Sequence, residues 1–167
     1  MRVFALDELD KKNFLKYLNF KTKVVYELGA TTGLRISDIV RLKKEVLNIK
    51  EPTITEKKTG KSKRFYIKSE IRKALSEIAK DSQNEFIFYS ATAKSGHISR
   101  QSVWKAFKHA QKCACLNTNI GTQSMRKAYA KKIKKTHNYK YLQTKLNHDN
   151  VLTSMLYCMD KGDFENE

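Results

Sequence analysis

The sequence predicts a mainly α-helical domain that carries one small, three-stranded antiparallel β-sheet. Apolar residues recur at three- and four-residue spacings over most of the chain, which is typical of helices with one buried face. Residues 46–67 are instead rich in β-favouring residues and contain the only proline, Pro52. A length of 167 residues with 40% hydrophobic and 31% charged residues fits one domain with its own core.

Three helices are predicted in the first 42 residues. Asp7 is a capping residue for the first helix, because its side chain can accept a hydrogen bond from a free amide of the first turn. The apolar face of this helix is predicted to consist of Leu9, Phe14, Leu15 and Leu18. A second helix is expected at residues 21–31 with Gly33 ending it, and a short third helix at residues 34–42.

The predicted sheet consists of three short runs of β-favouring residues. These runs are residues 47–49, 53–55 and 64–67. The last hairpin is expected to turn at residues 58–61, which include Thr59 and Gly60. The rest of the chain is predicted to be helical, apart from an extended segment at 86–88 and a loop at 91–98. The later helices are predicted at 69–79, 99–115, 122–134, 139–146 and 150–159.

Positive charge is the strongest compositional signal. Lys and Arg number 34 against 17 Asp and Glu, which gives a formal net charge of +17 and a pI of about 9.8. Thirteen Lys or Arg residues and no acid occur between Phe86 and His148. Phosphates that such side chains neutralise release their counterions, and this release drives binding. The composition therefore predicts a polyanionic partner.

Cysteine usage and hydropathy exclude several other classes of protein. Cys113, Cys115 and Cys158 do not form a disulfide framework, and Cys-x-Cys without a second pair is a poor zinc pattern. We expect reduced thiols and no bound metal. No apolar run reaches the roughly 18 residues that a membrane span requires, and no signal peptide is evident. The expected location is the cytoplasm, without a membrane partner.

Five motifs occur in a fixed order along the chain. They are Gly33-Leu34-Arg35-Ile36-Ser37-Asp38, Lys58-Thr59-Gly60-Lys61, Met125-Arg126-Lys127, Leu146-Asn147-His148 and the single residue Tyr157. Each motif is common by itself, but all five at these separations on a basic helical chain are specific. Together they resemble the catalytic domain of the tyrosine recombinases (phage integrases), and the resemblance covers residues 4–157.

The resemblance implies the fold of that catalytic domain and the cleavage of one DNA strand by a tyrosine hydroxyl. A 3′-phosphotyrosyl enzyme forms, and a 5′-hydroxyl later attacks it to rejoin the strand. Because a phosphodiester is exchanged for a phosphotyrosine of similar energy, no cofactor is implied. Tyr157 matches the nucleophile, nine residues after His148. An ordinary tyrosine has a pKa of about 10, so forming a phenolate near neutral pH costs about 4 kcal/mol, which a cationic site must offset.

Basic side chains match the other catalytic positions of the family. Arg35 and Arg126 match the arginines that bind the non-bridging oxygens of the scissile phosphate, for which a planar guanidinium is suited. Lys58 matches the hairpin lysine that protonates the leaving 5′-oxygen, with Lys57 and Lys61 as alternatives on the same turn. His148 matches a histidine that hydrogen-bonds the phosphate. The residues expected to bind DNA are Lys57, Lys61, Lys127 and Arg100.

Asp38 and Gln123 need separate consideration. Asp38 lies three residues after Arg35, so a shared helical face would let its carboxylate hold that guanidinium, with helix capping as the alternative. Gln123 stands three residues before Arg126, where the family has His or Lys. An amide can donate a hydrogen bond to a phosphate but cannot shuttle a proton. Gln123 therefore predicts either slow catalysis or an inactive relative.

Domain organisation and partners follow from the resemblance as expectations. Residues 1–167 are expected to form a single catalytic domain without the N-terminal core-binding domain that family members carry. The expected partners are double-stranded DNA and other protomers in a DNA-bound tetramer, with a monomer in the absence of DNA. The expected function is site-specific DNA recombination, and the alternative is a non-catalytic DNA-binding module on the same scaffold. A basic RNA-binding protein fits the composition but leaves the five motifs unexplained.

Overall fold

Eight α-helices and one two-stranded sheet form the regular structure in a computed structural model, which describes residues 2–160 and 162–164. The helices are α1 (Glu8–Lys16), α2 (Phe20–Thr32), α3 (Ile36–Ile39), α4 (Ser69–Lys80), α5 (Arg100–Cys113), α6 (Ser124–Lys134), α7 (Tyr139–Leu146) and α8 (Val151–Cys158). The strands are β1 (Thr53–Thr55) and β2 (Ser62–Arg64), and short 3₁₀ helices lie at Lys44–Asn48 and Gly162–Phe164. The predicted mainly helical class is confirmed.

Capping residues fix the helix ends where the sequence predicts them. Asp7 accepts a hydrogen bond from the amide of Asp10 at 2.8 Å, and Ser99 accepts one from the amide of Ser102 at 2.9 Å. Gly33 ends α2 with a φ of 64°, a left-handed conformation that glycine adopts without strain. These caps determine where α1, α2 and α5 begin or end.

The prediction that Leu9 belongs to the buried face of α1 is wrong. Leu9 is 79% exposed, whereas Phe14 is fully buried. Each residue turns an α-helix by about 100°, so Leu9 lies on a different side of α1 from Phe14 and Leu15, and Leu18 lies beyond the end of α1. Apolar character alone did not indicate the face.

The sheet has two strands instead of the predicted three. β1 and β2 are antiparallel, and Thr53 pairs with Arg64 while Thr55 pairs with Ser62. The run predicted as the first strand forms the 3₁₀ helix at Lys44–Asn48. The guanidinium of Arg72 on α4 donates hydrogen bonds to the backbone carbonyls of Val46, Leu47, Ile49 and Lys50. A side chain therefore satisfies the carbonyls that a neighbouring strand would otherwise satisfy.

Two hydrophobic clusters support the helices. Phe14 of α1, Tyr26 of α2 and Phe107 of α5 are fully buried, with ring centroids 5.5 to 5.8 Å apart. A smaller cluster on α6 and α7 consists of Tyr129, Ala130, Leu142 and Leu146. Tyr157 and Cys158 of α8 pack against this second cluster. The position of α8 therefore depends on α6 and α7.

Helices α2 and α6 approach each other closely at a glycine. A Cβ atom on Gly29 would lie 2.4 Å from the sulfur of Met125, and one on Gly33 would lie 2.5 Å from the ring of Tyr129. Small residues on α2 therefore admit the larger side chains of α6. This packing places the C-terminal end of α2 beside the start of α6, where the candidate site lies.

Candidate active site

Arg126, in the first turn of α6, is the centre of the candidate site. Its side chain is fully buried, and its guanidinium donates hydrogen bonds to the backbone carbonyls of Gly33, after α2, and of Leu146, at the end of α7. Burial lowers the pKa of Arg126 to about 10, so the group remains charged at neutral pH. One side chain thus joins the ends of three helices.

Arg35 immediately precedes α3 and pairs with Glu56, a residue that the sequence reasoning missed. Nη1 of Arg35 lies 2.5 Å from Oε2 of Glu56, and Nη1 of Arg126 lies 4.0 Å from Oε1 of the same carboxylate. Glu56 follows β1 and is only 1% exposed. The alternation of a strand gave a signal for it, because Glu56 lies two residues after the inward-facing Ile54 and so shares its face.

The predicted pairing of Asp38 with Arg35 is wrong. Oδ1 of Asp38 accepts hydrogen bonds from the amide of Lys57 at 2.9 Å and from Nη2 of Arg41 at 3.3 Å. Arg35 has an extended backbone and only caps the four-residue α3, so the two side chains do not share a helical face. The capping alternative is also wrong, because α3 has no side-chain cap. Asp38 instead attaches the hairpin turn to α3.

Polar atoms without hydrogen-bond partners concentrate at this site. Within residues 2–160 and 162–164, five buried side-chain nitrogen or oxygen atoms lack such a partner. Four of the five belong to Arg35, Asp38, Glu56 and Arg126. Buried polar groups are rarely left in this state, because their desolvation is costly. Of the two guanidinium nitrogens among them, Nη1 of Arg35 pairs with Glu56 at 2.5 Å, so Nε of Arg126 is the N–H donor that the site offers to an additional acceptor such as a phosphate oxygen.

His148 follows α7 and lies against Tyr157. The two ring centroids are 4.7 Å apart, and Nδ1 of His148 lies 2.9 Å from Oγ of Ser154. Burial, with the Arg126 cation nearby, lowers the pKa of His148 to about 4, so the ring is neutral at neutral pH. Ser154 is fully buried on α8 and was missed, although it is a small polar residue within an apolar helix. Its contact occupies Nδ1 and leaves Nε2 for a ligand.

Gln123 and Tyr157 are brought together by α6 and α8. The Tyr157 hydroxyl donates a hydrogen bond to Oε1 of Gln123 at 3.2 Å, and the guanidinium carbon of Arg126 lies 6.0 Å from the Tyr157 ring centroid. Tyr157 is half-buried on α8. An amide oxygen accepts a hydrogen bond but is not a base at neutral pH. Gln123 therefore orients the hydroxyl without taking its proton.

The turn of the hairpin carries the predicted lysines. Lys57 and Lys58 are exposed in this turn, whereas Nζ of Lys61 lies 2.5 Å from Oδ1 of Asp149. The side-chain amide of Asn147 donates to the Ser62 carbonyl at 3.2 Å. These contacts connect the hairpin to the loop between α7 and α8, which also contains His148.

Lys63 on β2 is a further site residue that the sequence reasoning missed. It is only 5% exposed, and its Nζ donates at 2.9 Å to the carbonyl of Gly33, which also accepts from Arg126. Burial and the nearby Arg126 cation lower the pKa of Lys63 to about 7. The signal was again strand alternation, which places Lys63 on the buried face of the hairpin with Phe65.

The other two predicted DNA-binding residues lie on α6 and α5. The ammonium of Lys127 lies 5.1 Å from the ring centroid of Phe4. Arg100 is exposed in the first turn of α5, directly after the capping residue Ser99. Their contact with DNA stays a prediction.

Neither a metal-binding cluster nor a membrane-spanning helix is found in the described part of the chain. Within residues 2–160 and 162–164, no three His, Cys, Asp or Glu side chains are grouped so that they could hold a metal ion. No helix in the same residues is long and apolar enough to cross a membrane. The three cysteines are free thiols.

Comparison with known proteins identifies the family. The model of the phage integrase family matches residues 5–162, nearly the whole chain. The chain belongs to the phage integrase family. The family predicted from the five motifs is thus confirmed.

Curated relatives include other integrases and recombinases. The chain is 31% identical over 149 residues to the probable integrase/recombinase YoeC of Bacillus subtilis, and this match covers 87% of the chain and 81% of the relative. It is 22% identical over 169 residues to tyrosine recombinase XerD of Staphylococcus epidermidis, covering 93% of the chain and 57% of XerD. The chain therefore spans little more than half the length of XerD.

Solved structures with the same fold include several phage integrases. The chain superposes on XerA recombinase with a TM-score of 0.78 at 18% identity, covering 97% of this chain and 62% of XerA. The catalytic domain of bacteriophage HP1 integrase gives a TM-score of 0.69 at 20% identity, with 93% of this chain and 87% of that domain covered. These similarities confirm the catalytic-domain fold.

Proposed function

We propose that the chain cuts and rejoins DNA strands as the catalytic domain of a tyrosine recombinase. The observation that carries this proposal is that Arg35 and Arg126, the latter with an unsatisfied Nε, lie near His148 and the ring of Tyr157. Guanidinium groups suit the non-bridging oxygens of a scissile phosphate and the charge that builds on it during attack. Membership of the phage integrase family supports the same reaction.

In the proposed reaction, the oxygen of Tyr157 attacks the phosphorus of a DNA phosphodiester. A phosphorus–oxygen bond to Tyr157 forms, the bond to the 5′-oxygen breaks, and the strand stays attached through its 3′-phosphate. Lys58 gives a proton to the leaving 5′-oxygen, and the hydroxyl proton of Tyr157 leaves to water because Gln123 is not a base. The 5′-hydroxyl of a second strand then attacks the phosphorus and releases Tyr157.

His148 supplies a third donor to the phosphate in this proposal. The Ser154 hydroxyl lies 2.9 Å from Nδ1 of His148, and in the proposed tautomer it donates its hydrogen to that nitrogen. The neutral ring then carries its own hydrogen on Nε2. Nε2 donates to a non-bridging oxygen next to the arginines.

The basic surface provides the proposed contacts with the DNA backbone. These contacts are assigned to Lys57, Lys61, Arg100 and Lys127. Lambda integrase, a solved structure with the same fold, has been captured as a dimer bound to a core site and as a tetramer bound to a Holliday junction. We propose that the present chain likewise assembles on double-stranded DNA and is monomeric without it.

A second candidate function is a DNA-binding module that does not cleave. The contact of the Tyr157 hydroxyl with Gln123, instead of with a base, favours this alternative. Both functions require Arg35 and Arg126 for phosphate binding. They differ in whether Tyr157 becomes covalently attached to DNA.

A nicked suicide duplex separates the two functions, because loss of the short fragment at the nick prevents rejoining. The duplexes are made from the DNA that flanks the gene. We expect the chain to form a denaturation-resistant adduct that Tyr157→Phe abolishes. Tyr141→Phe, which removes a partly exposed hydroxyl from α7, is the control and should leave the adduct unchanged. An adduct that survives Tyr157→Phe would contradict the assignment, and binding without any adduct would favour the non-cleaving module.

A further inference from the structure

Glu56 is a buried acid that contacts both arginines of the proposed phosphate site. Its Oε2 lies 2.5 Å from Arg35, and its Oε1 lies 4.0 Å from Arg126. Oε1 accepts no hydrogen bond within the described residues, and Nε of Arg126 donates none. The carboxylate thus offsets the charge of the two guanidinium groups without using all of their donors.

The same residue closes the turn that carries the lysines. Oε2 of Glu56 accepts a hydrogen bond from the hydroxyl of Thr59 at 2.7 Å. The Glu56 carbonyl accepts from the amide of Gly60 at 2.9 Å, and its amide donates to the carbonyl of Lys61 at 3.0 Å. One side chain therefore contacts both the arginines and the tip of the hairpin.

The carboxylate is charged at neutral pH. Burial by itself raises the pKa of Glu56, but the Thr59 hydrogen bond and the Arg35 guanidinium hold this pKa below its ordinary value. Arg35 and Arg126 are cations at the same place, and buried like charges without a counter-charge are costly. A phosphate that binds the arginines is therefore repelled by the negative charge of Glu56.

We infer that Glu56 is a positioning residue, which holds Arg35 and Arg126 for the phosphate and couples their occupancy to the hairpin through Thr59. The inference rests on the proposed function in one respect, because it takes the arginines as the phosphate ligands. Glu56 repels the phosphate and so limits its affinity. When bound phosphate draws the guanidinium groups away from Glu56, the Thr59 hydroxyl remains as the principal hydrogen-bond partner of the carboxylate. The turn therefore responds to phosphate binding.

Glu56→Gln tests the effect of the charge with inorganic phosphate as the probe. The amide keeps the shape of the side chain, and NMR shifts of the Nε–H groups of Arg35 and Arg126 report binding at the site. We expect affinity to rise by at least about fivefold, the effect of a unit charge at 4 Å even with the full screening of water. Glu51→Gln is the matched control, because Glu51 pairs at 2.6 Å with the exposed Arg64 near the same hairpin. A folded Glu56→Gln that binds phosphate no more tightly than Glu51→Gln overturns the inference.

Thr59→Val tests the coupling and keeps the carboxylate. In the wild-type chain, the amide signal of Gly60 should shift with the same phosphate midpoint as the arginine signals. In Thr59→Val the arginine signals should still shift, and the Gly60 response should fall at least about twofold, because a partly buried hydrogen bond to a charged group is lost. A Gly60 shift of equal size in both proteins overturns the inference, whether or not Glu56→Gln folds.

The rate of adduct formation as a function of DNA concentration provides the functional readout on the suicide duplex, where each protein molecule reacts once. We expect Glu56→Gln to lower both the half-saturating DNA concentration and the maximal rate constant of adduct formation, because the arginines bind the ground state more tightly but are held less well. An unchanged maximal rate constant overturns the positioning role. The phosphate measurements need no cleavage, so they still test the inference if the chain forms no adduct. If an adduct forms but Glu56→Gln changes neither phosphate affinity nor the rate of adduct formation, this inference is refuted and the proposed function is not.

Discussion

The carbonyl of Gly33 accepts hydrogen bonds from two buried cations, Lys63 and Arg126. This arrangement gives the two side chains different roles, because burial brings the pKa of Lys63 to about 7 and that of Arg126 only to about 10. Near neutral pH, Lys63 can lose its proton while the guanidinium stays charged. Lys63 is therefore the residue through which the charge of the site depends on pH.

Lys63→Met tests this pH dependence through stability. The ordinary pKa of lysine in an unfolded chain is about 10.4, and in the folded chain it is about 7. Between these values the unfolded chain binds more protons, so this lysine makes the free energy of unfolding rise with pH by up to about 1.4 kcal/mol per unit. We expect Lys63→Met to remove that contribution in urea unfolding between about pH 7 and about pH 9. An identical slope in both proteins would refute the account.

His148 has a second depressed pKa with a separate pH window. Its folded pKa of about 4 lies below the ordinary value of about 6.5. Between these values the unfolded chain binds more protons, so the free energy of unfolding decreases as the pH falls from about 6.5 to about 4. NMR of the His148 ring should show a neutral imidazole down to about pH 5, and His148→Asn should reduce this pH dependence. A ring that titrates near pH 6.5 would contradict the described burial.

Sequence motifs predicted which residues belong to the site, but they predicted the contacts of those residues less well. Arg35, Arg126, His148 and Tyr157 were predicted from motif order, and the structure brings them together. Glu56, Lys63 and Ser154 were missed because each is polar in type and buried by its position. A single sequence states the polarity of a side chain, but its burial depends on which element it packs against.

At the level of elements, the contact between α2 and α6 positions Arg126. Gly29 lets Met125 approach α2, and Arg126 follows Met125 directly on α6. A displaced α6 would move the guanidinium away from the carbonyls of Gly33 and Leu146. Packing within the core thus determines the geometry of a polar site.

Gly29→Ala tests that dependence. The added Cβ would lie 2.4 Å from the Met125 sulfur, so the methionine or α6 must shift. We expect a loss of about 1–3 kcal/mol in the free energy of unfolding, measured in urea, as for other overpacked cores. The cost should become smaller in a Met125→Ala background, where the space is free. Equal costs in the two backgrounds would show that the helices do not meet at this pair.

Prediction of the elements succeeded where the signals were local. The ends of α1, α2 and α5 follow from Asp7, Gly33 and Ser99, which act on their own first or last turns. The first predicted strand does not form, because its carbonyls are satisfied by Arg72, 22 to 26 residues further along the chain. β-propensity contains no information about such a distant partner.

At the level of the whole molecule, the excess charge is unevenly distributed. The chain has a formal net charge of +17, and no acid lies between Glu85 and Asp149. This stretch contains α5, α6 and α7, and the hairpin lysines lie next to its end through the pair of Lys61 and Asp149. Such a distribution favours binding to the DNA backbone with a strong salt dependence.

Lys57→Ala tests whether the hairpin contacts phosphates. We expect affinity for double-stranded DNA to fall, and the slope of log affinity against log salt to decrease by about 1, because one phosphate contact is lost. Lys80→Ala is the control, since Lys80 is exposed on α4 and pairs with Glu77 at 2.7 Å. The measurement is fluorescence anisotropy over a salt series. Equal slopes for the two variants would remove Lys57 from the interface.

The identity of the residue that carries the DNA tests the central claim most directly. The adduct formed on the suicide duplex is digested with protease and nuclease, and tandem mass spectrometry locates the nucleotide on the peptide. We expect a 3′-phosphate linked to Tyr157 within the sequence of α8. A nucleotide on any other residue, or a 5′-phosphate linkage, would contradict it.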